Sequence, residues 1–142
     1  MKPIRALILM TAAAGLLAGC SNMKVKVSNY PDDFVYLSKT KVTGTMGVLS
    51  AQVQRINDAL KNDVVLDDAS HQQIISALEN MEAAAYKLGA GTAPTNHLLI
   101  DKHIDRFKSD VQAALKAAKG SPPNYYLAGQ VSGSCMACHI YR

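Results

Sequence analysis

The sequence predicts an all-α protein, an antiparallel up-down-up-down bundle of four helices. Four segments after residue 30 carry apolar residues at spacings of three and four, the period of one face of an α-helix. Short links containing Gly, Pro, Asp or Asn separate them, and no stretch alternates apolar and polar residues as a half-buried strand does. Short links between amphipathic helices favour antiparallel neighbours, the arrangement of a four-helix bundle.

The first two predicted helices cover most of the chain between Pro31 and Gly89. The first ends near residues 61–63. Its apolar face consists of Val42, Met46, Leu49, Val53, Ile56 and Leu60. The second stops at Gly89, and Ser70-x-x-Gln73 in its first turn has the spacing of a capping box. The oxygens that can cap it belong to Asp67, Asp68 and Ser70. Its apolar face consists of Ile74, Leu78, Met81, Ala85 and Leu88.

The last two predicted helices follow loops that contain helix breakers. The third begins after the loop 89–94, where Thr95 or Asn96 can cap it, and Gly120 closes it. Its apolar face consists of Ile100, Ile104, Phe107, Val111, Ala114 and Ala118. After a short turn, Pro123 suits the first turn of the fourth helix. The inward side of that helix carries Leu127, Val131 and Cys135.

The fourth helix ends in Cys135-Met136-Ala137-Cys138-His139, which has the form C-x-x-C-H that attaches c-type haem. Two thiols three residues apart share a helical face, so each can add to a vinyl group of one haem while the adjoining imidazole reaches the iron. We therefore expect Cys135 and Cys138 to be the thioether anchors of one covalent haem c. His139 is the expected proximal iron ligand.

Two other kinds of site use a C-x-x-C pair. A thioredoxin-like redox pair opens a helix after a strand in a βαβ unit. A tetrahedral zinc site needs a fourth ligand beside Cys135, Cys138 and a histidine. Neither context is visible in the sequence, so haem attachment is the favoured interpretation.

The first 19 residues have the form of an export signal. Lys2 and Arg5 precede an apolar run, residues 6–18, that is short for a membrane-spanning helix. The segment Leu16-Leu17-Ala18-Gly19-Cys20 resembles the lipobox of bacterial lipoproteins, which implies cleavage before Cys20 and acylation of its thiol and its amine. The alternative is ordinary cleavage nearby with Cys20 left as a lone thiol, which is a liability in an exported protein.

We accordingly expect a signal peptide at 1–19, a tether at 20–30 and one four-helix domain at 31–142. Acyl chains on Cys20 would hold the 123 remaining residues on the periplasmic side of a bacterial membrane. The net charge falls from +4 to +2, since the signal removes two basic side chains and no acidic one. Two haem propionates would bring it near zero, so no nucleic-acid partner is expected.

A four-helix chain whose haem motif lies at its C-terminal end resembles the class II cytochromes c, meaning cytochrome c prime and its low-spin relatives. The segment Gly129-Gln130-Val131-Ser132-Gly133-Ser134-Cys135-Met136-Ala137-Cys138-His139 is similar to the family's closing pattern G-x-V-x-x-S-C-x-A-C-H. The resemblance covers residues 31–142, in which the other helices match in length, order and apolar pattern. It implies one haem c in a four-helix bundle.

In this family the first helix supplies the residue over the distal face of the haem, and alignment on Arg55 sets Met46 there. Low-spin members carry a methionine ligand at that position, and five-coordinate members a non-ligating apolar residue. The chain departs from the family twice. The family's basic residue four positions before the distal site is Val42 here, and Arg142 stands three residues after His139 instead of four.

Met46 also lies on the apolar face of the first helix, beside Gly47 and two residues after Gly44. Each glycine costs about 1 kcal/mol relative to alanine in a helix, which close approach to a flat haem or to a neighbouring helix would offset. Met46 as a filler of the core is the alternative. The rival distal ligands are Met81, His71, His97 and His103.

If His139 and Met46 both ligate the iron, the expected function is one-electron transfer, with redox proteins of the periplasm or membrane as partners. If no protein group ligates the distal face, the alternative is a five-coordinate haem that binds nitric oxide or carbon monoxide. A lipoprotein with a structural haem is a third class. No catalytic residue is expected, since no nucleophile–base pair, carboxylate pair or phosphate loop stands out. A second copy of the chain is a further candidate partner.

Overall fold

The computed structural model describes residues 31–61, 66–89 and 93–140. Within these ranges the protein is all-α, as predicted, and its extended backbone forms only an isolated bridge between Val35 and Thr95. The helices are α1 (Lys39–Lys61), α2 (Asp68–Leu88), α3 (Leu98–Ala118), α4 (Tyr126–Ser134) and α5 (Met136–His139). The predicted signal peptide and tether, with Cys20, lie outside the described residues, as does Arg142.

The apolar faces predicted for α2 and α3 meet in the core. Each helix from α1 to α4 contacts the next one along the chain, and α1 also contacts α4. All five predicted positions on α2 and all six on α3 are buried. None of the described helices combines the length and the apolar character that crossing a bilayer requires.

Both ends of α2 are closed by side chains. At its start, Oδ1 of Asp67 accepts a hydrogen bond from the Ser70 amide at 2.7 Å, and this bond holds the pKa of Asp67 below its ordinary value. The predicted capping box does not form, because the Gln73 amide instead donates to the Arg55 carbonyl at 3.0 Å. At its end, the buried Lys108 ammonium donates to the Gly89 carbonyl.

The first helix begins at Lys39, later than the helical pattern that the sequence shows from Pro31. Residues 31–38 form a non-helical segment, which we call the strap, and it packs on the start of α3. The Phe34 amide donates to the Pro31 carbonyl at 2.9 Å and closes a turn, and residues 35–38 are extended. The Asn96 side chain accepts from the Leu37 amide at 2.7 Å and donates to the Leu37 carbonyl at 3.1 Å. Because these bonds satisfy the backbone of a residue that is 1% exposed, residues 35–38 stay extended. The Ser38 hydroxyl then accepts from an amide of the first turn.

The fourth helix is shorter than predicted, and one of its three predicted inward residues is exposed. It begins at Tyr126, three residues after Pro123, and Leu127 is 39% exposed, whereas the prediction directed it inward. Val131 is buried and Cys135 packs against the core, as predicted, and Ala128 is buried beside them. A turn at Cys135 separates α4 from α5.

Candidate functional site

A cavity of about 410 Å³ lies where α2 ends, α3 begins and α4 passes into α5. We call it the main cavity, and α1, α2, α3 and the α4–α5 segment all contribute to it. Its lining consists of Met46, Leu49, Ser50, Val53, Leu88, Ile100, Ile104, Phe107, Ser132, Ser134, Cys135, Cys138 and His139. The two thiols, the imidazole and the thioether that the sequence selected therefore line one cavity.

The backbone through the motif keeps the thiols and the imidazole on one side. Cys135 has helical dihedral angles, φ −64° and ψ −30°, and the Ile140 amide donates to the Met136 carbonyl at 3.0 Å. Residues three and four apart share a face in such a backbone, so Cys135, Cys138 and His139 all line the main cavity. The turn between α4 and α5 does not disrupt this alignment.

Two contacts hold the motif against α3. The Ser134 hydroxyl donates to Oδ2 of Asp110 at 2.6 Å, a short bond to a charged acceptor. The Cys138 sulfur lies 3.7 Å from the Leu99 carbonyl oxygen. Sequence reasoning assigned no role to Asp110, which lies 24 residues before its partner and carries no local signal.

Met46 forms part of the α1 wall of the main cavity. It is half-buried and packs against the core, with Leu49 and Val53 on the same wall. Gly44 and Gly47 do not line the cavity, and a Cβ atom at either glycine would meet no protein atom within 4 Å. The alternative that a neighbouring helix packs on these glycines is therefore wrong, and because neither glycine lines the cavity, they lend Met46 no support as a ligand.

None of the four rival ligands is among the described residues that line the main cavity. Met81 is fully buried in the core. Nδ1 of His71 lies 2.6 Å from the Tyr125 hydroxyl, and Nε2 of His97 lies 3.3 Å from the Leu37 carbonyl, so both imidazoles have structural partners. His103 lines a separate cavity of about 220 Å³.

The lining of the main cavity fits a haem. Its volume falls within the range of about 300–1,000 Å³ typical of ligand and cofactor pockets. Six aliphatic or aromatic side chains of α1, α2 and α3 offer apolar contact to a macrocycle: Leu49, Val53, Leu88, Ile100, Ile104 and Phe107. Thiols and an imidazole occupy the α4–α5 wall, and the Met46 thioether belongs to the α1 wall.

Both thiols of the motif titrate above their ordinary range in the protein without haem. Burial raises the pKa of Cys135, and the neighbouring Cys138 thiolate raises it further. Burial likewise raises the pKa of Cys138. At neutral pH both groups are therefore thiols, the less nucleophilic form.

In the folded apoprotein we expect iodoacetamide to alkylate Cys135 slowly at pH 7 and faster as the pH rises past the ordinary thiol pKa. Unfolded thiols release their protons at lower pH than folded ones, so stability should also fall as the pH rises through that range. Mass spectrometry of a Cys20→Ser background would measure the rates, with urea-unfolded chain as the control. Equal rates in the folded and unfolded chains would contradict the prediction.

No group of three or more His, Cys, Asp or Glu side chains within residues 31–61, 66–89 and 93–140 is arranged to hold a metal ion. No protein-family model, curated protein or solved structure matches the chain. The resemblance to class II cytochromes c rests on the closing pattern around Cys135 and on the order of the helices.

Proposed function

We propose that this protein is a c-type cytochrome that transfers single electrons through one covalent haem, held in an antiparallel up-down-up-down four-helix bundle of the class II type. The observation that carries the proposal is the shared main cavity. It has two thiols and an imidazole on its α4–α5 wall, a thioether on its α1 wall and apolar side chains between them.

The chain's own residues divide the work of holding the cofactor. Cys135 and Cys138 would anchor it, and His139 and Met46 would ligate its iron. Haem c supplies a reversible one-electron iron couple when bound. The Ser134–Asp110 hydrogen bond fixes the anchoring segment against α3, and the apolar wall excludes water from the macrocycle.

The assignment of two protein ligands to the iron is the reason that we propose no catalytic group. If His139 and Met46 both ligated the iron, no coordination position would be left for a substrate, and electron exchange with a partner protein would be the remaining chemistry. Suitable partners are redox proteins of the periplasm or of the membrane. The protein is therefore proposed as a carrier and not as an enzyme.

The optical spectrum of the purified holoprotein, oxidised and reduced, tests the carrier function. A low-spin spectrum in both states is expected, with a weak ferric charge-transfer band near the red end of the visible range. A high-spin spectrum would overturn the carrier assignment in favour of a five-coordinate haem that binds nitric oxide or carbon monoxide.

We also propose that the chain is exported and held by lipid at Cys20. The support is the basic start, the apolar run and the lipobox-like residues 16–20. Mass spectrometry of the mature protein should find an acylated Cys20 at its N-terminus. Cys20→Ser should release a soluble domain that still carries haem, since the change leaves the motif intact. An unmodified mature terminus at another residue would refute lipidation.

A further inference from the structure

Exposed apolar side chains are concentrated near the main cavity. Of the ten large hydrophobic residues that are exposed within the described ranges, six lie in the strap, at the start of α3, or in and next to α5. They are Val35, Tyr36, Leu98, Leu99, Met136 and Ile140, and we call them the apolar end patch. Leu98 is 82% exposed, Tyr36 72% and Ile140 63%. An apolar concentration of this kind marks an interaction surface.

Measured contacts connect the three segments of the patch. The strap reaches α3 through the hydrogen bonds between Leu37 and Asn96, which bring Tyr36 beside the residues that precede Leu98. The segment α5 reaches the same part of α3 through the contact between Cys138 and the Leu99 carbonyl. The patch therefore borders the end of the molecule where α3 begins, which is also where the main cavity lies.

The chain enters the described structure at this same end. Ten residues separate Pro31 from Cys20, and ten extended residues span at most about 35 Å. The only charged residues among them are Lys24 and Lys26, both basic and so attracted to anionic lipid headgroups. A lipid anchor at Cys20 would therefore hold the apolar end patch closer to the bilayer than the opposite end of the helices, where Tyr126 lies.

We propose that the apolar end patch docks on the lipid surface, so that the cavity end of the protein faces the membrane to which the chain is tethered. The proposal rests on the lipidation of Cys20. Apolar side chains of a surface-bound segment enter the boundary between headgroups and acyl chains to a depth of about 5–10 Å. Charge contributes less, since Lys39, Lys41 and Lys102 are offset by Asp32, Asp33 and Asp101 at this end.

Tyr36 and Tyr126 provide a matched internal comparison, because both are tyrosines that are 72% exposed and they lie on opposite ends of the helices. The mature holoprotein would be reconstituted into vesicles of phosphatidylethanolamine and phosphatidylglycerol and labelled with hydroxyl radicals. Relative to the Cys20→Ser protein mixed with the same vesicles, oxidation of Tyr36 and Leu98 should slow by about fivefold or more, because lipid covers them. Oxidation of Tyr126 should not change.

Equal oxidation of Tyr36 and Tyr126 on vesicles would overturn the proposal, as it would mean that the domain tumbles freely on its tether. Protection of Tyr36 that appears only after a membrane-protein extract is added would also overturn it, in favour of a protein partner. Intact mass of the same sample reports acylation separately. If Cys20 carries no lipid, its thiol can be coupled to maleimide-headgroup lipid in the same vesicles. The oxidation of Tyr36 and Tyr126 then still tests the orientation, and only the lipidation of Cys20 is refuted.

Discussion

Replacing both Cys135 and Cys138 by alanine is expected to abolish covalent haem attachment. The two thiols line the main cavity three residues apart, and without them no thioether bond can form. Denaturing electrophoresis with a haem-peroxidase stain measures the outcome, because only covalently held haem travels with the polypeptide. A stained band in the double variant would refute the assignment of the motif.

Met136→Ala is the matched control for this experiment. Met136 lies between the two cysteines, is 51% exposed and does not line the main cavity, so its replacement should leave the stained band intact. The double variant should also unfold at a lower temperature than the holoprotein, because the apolar walls of a 410 Å³ cavity lose their contact with the macrocycle.

Met46→Ala is expected to convert a low-spin cytochrome into a high-spin one that binds carbon monoxide when reduced. Among the described residues, Met46 is the methionine that lines the main cavity. Its replacement removes a thioether and leaves Cys135, Cys138 and His139 unchanged. Carbon monoxide should bind the reduced variant at least about tenfold faster than the wild type, because a coordination position opens. Optical spectra and flow mixing with carbon monoxide measure both effects.

Met81→Leu separates ligation from packing. Met81 is fully buried in the core away from the main cavity, and Met to Leu conserves volume, so this variant should lose less than about 1.5 kcal/mol of stability and keep its spectrum. If the wild type is already high-spin and Met46→Ala leaves it unchanged, Met46 fills space and the gas-binding function replaces electron transfer. If the wild type is low-spin and Met46→Ala is low-spin as well, another residue ligates the iron, and His103 and Met81 are the next residues to replace.

The two central helices were predictable because their structure is decided locally. In α2 and α3 the apolar residues recur regularly, and Gly89 and Gly120 mark the region where each helix stops. The C-x-x-C-H sequence was equally visible, since its five residues are contiguous, and haem attachment to it stays a prediction. For these segments the local pattern and the tertiary packing agree.

The start of α1, the inward face of α4 and the lining of the main cavity depend on more than the local sequence. The start of α1 could not be predicted because Asn96, 59 residues away from Leu37, holds residues 35–38 out of the helix. The exposure of Leu127 was missed because a nine-residue helix with few large apolar side chains has a weak periodic signal. The contribution of Leu88 and Ile100 to the main cavity was hidden for another reason. Both lie on faces that also build the core, and sequence spacing does not distinguish a core position from a cavity wall.

The strap also determines where mechanical load enters the domain. A pull on the chain before Pro31 reaches the hydrogen bonds between Leu37 and Asn96 before it reaches the first turn of α1. These bonds and the bridge between Val35 and Thr95 tie the strap to the residues that precede α3, so a force applied before Pro31 would act on those contacts first. While they hold, α1 would keep Met46 in its place in the wall of the main cavity.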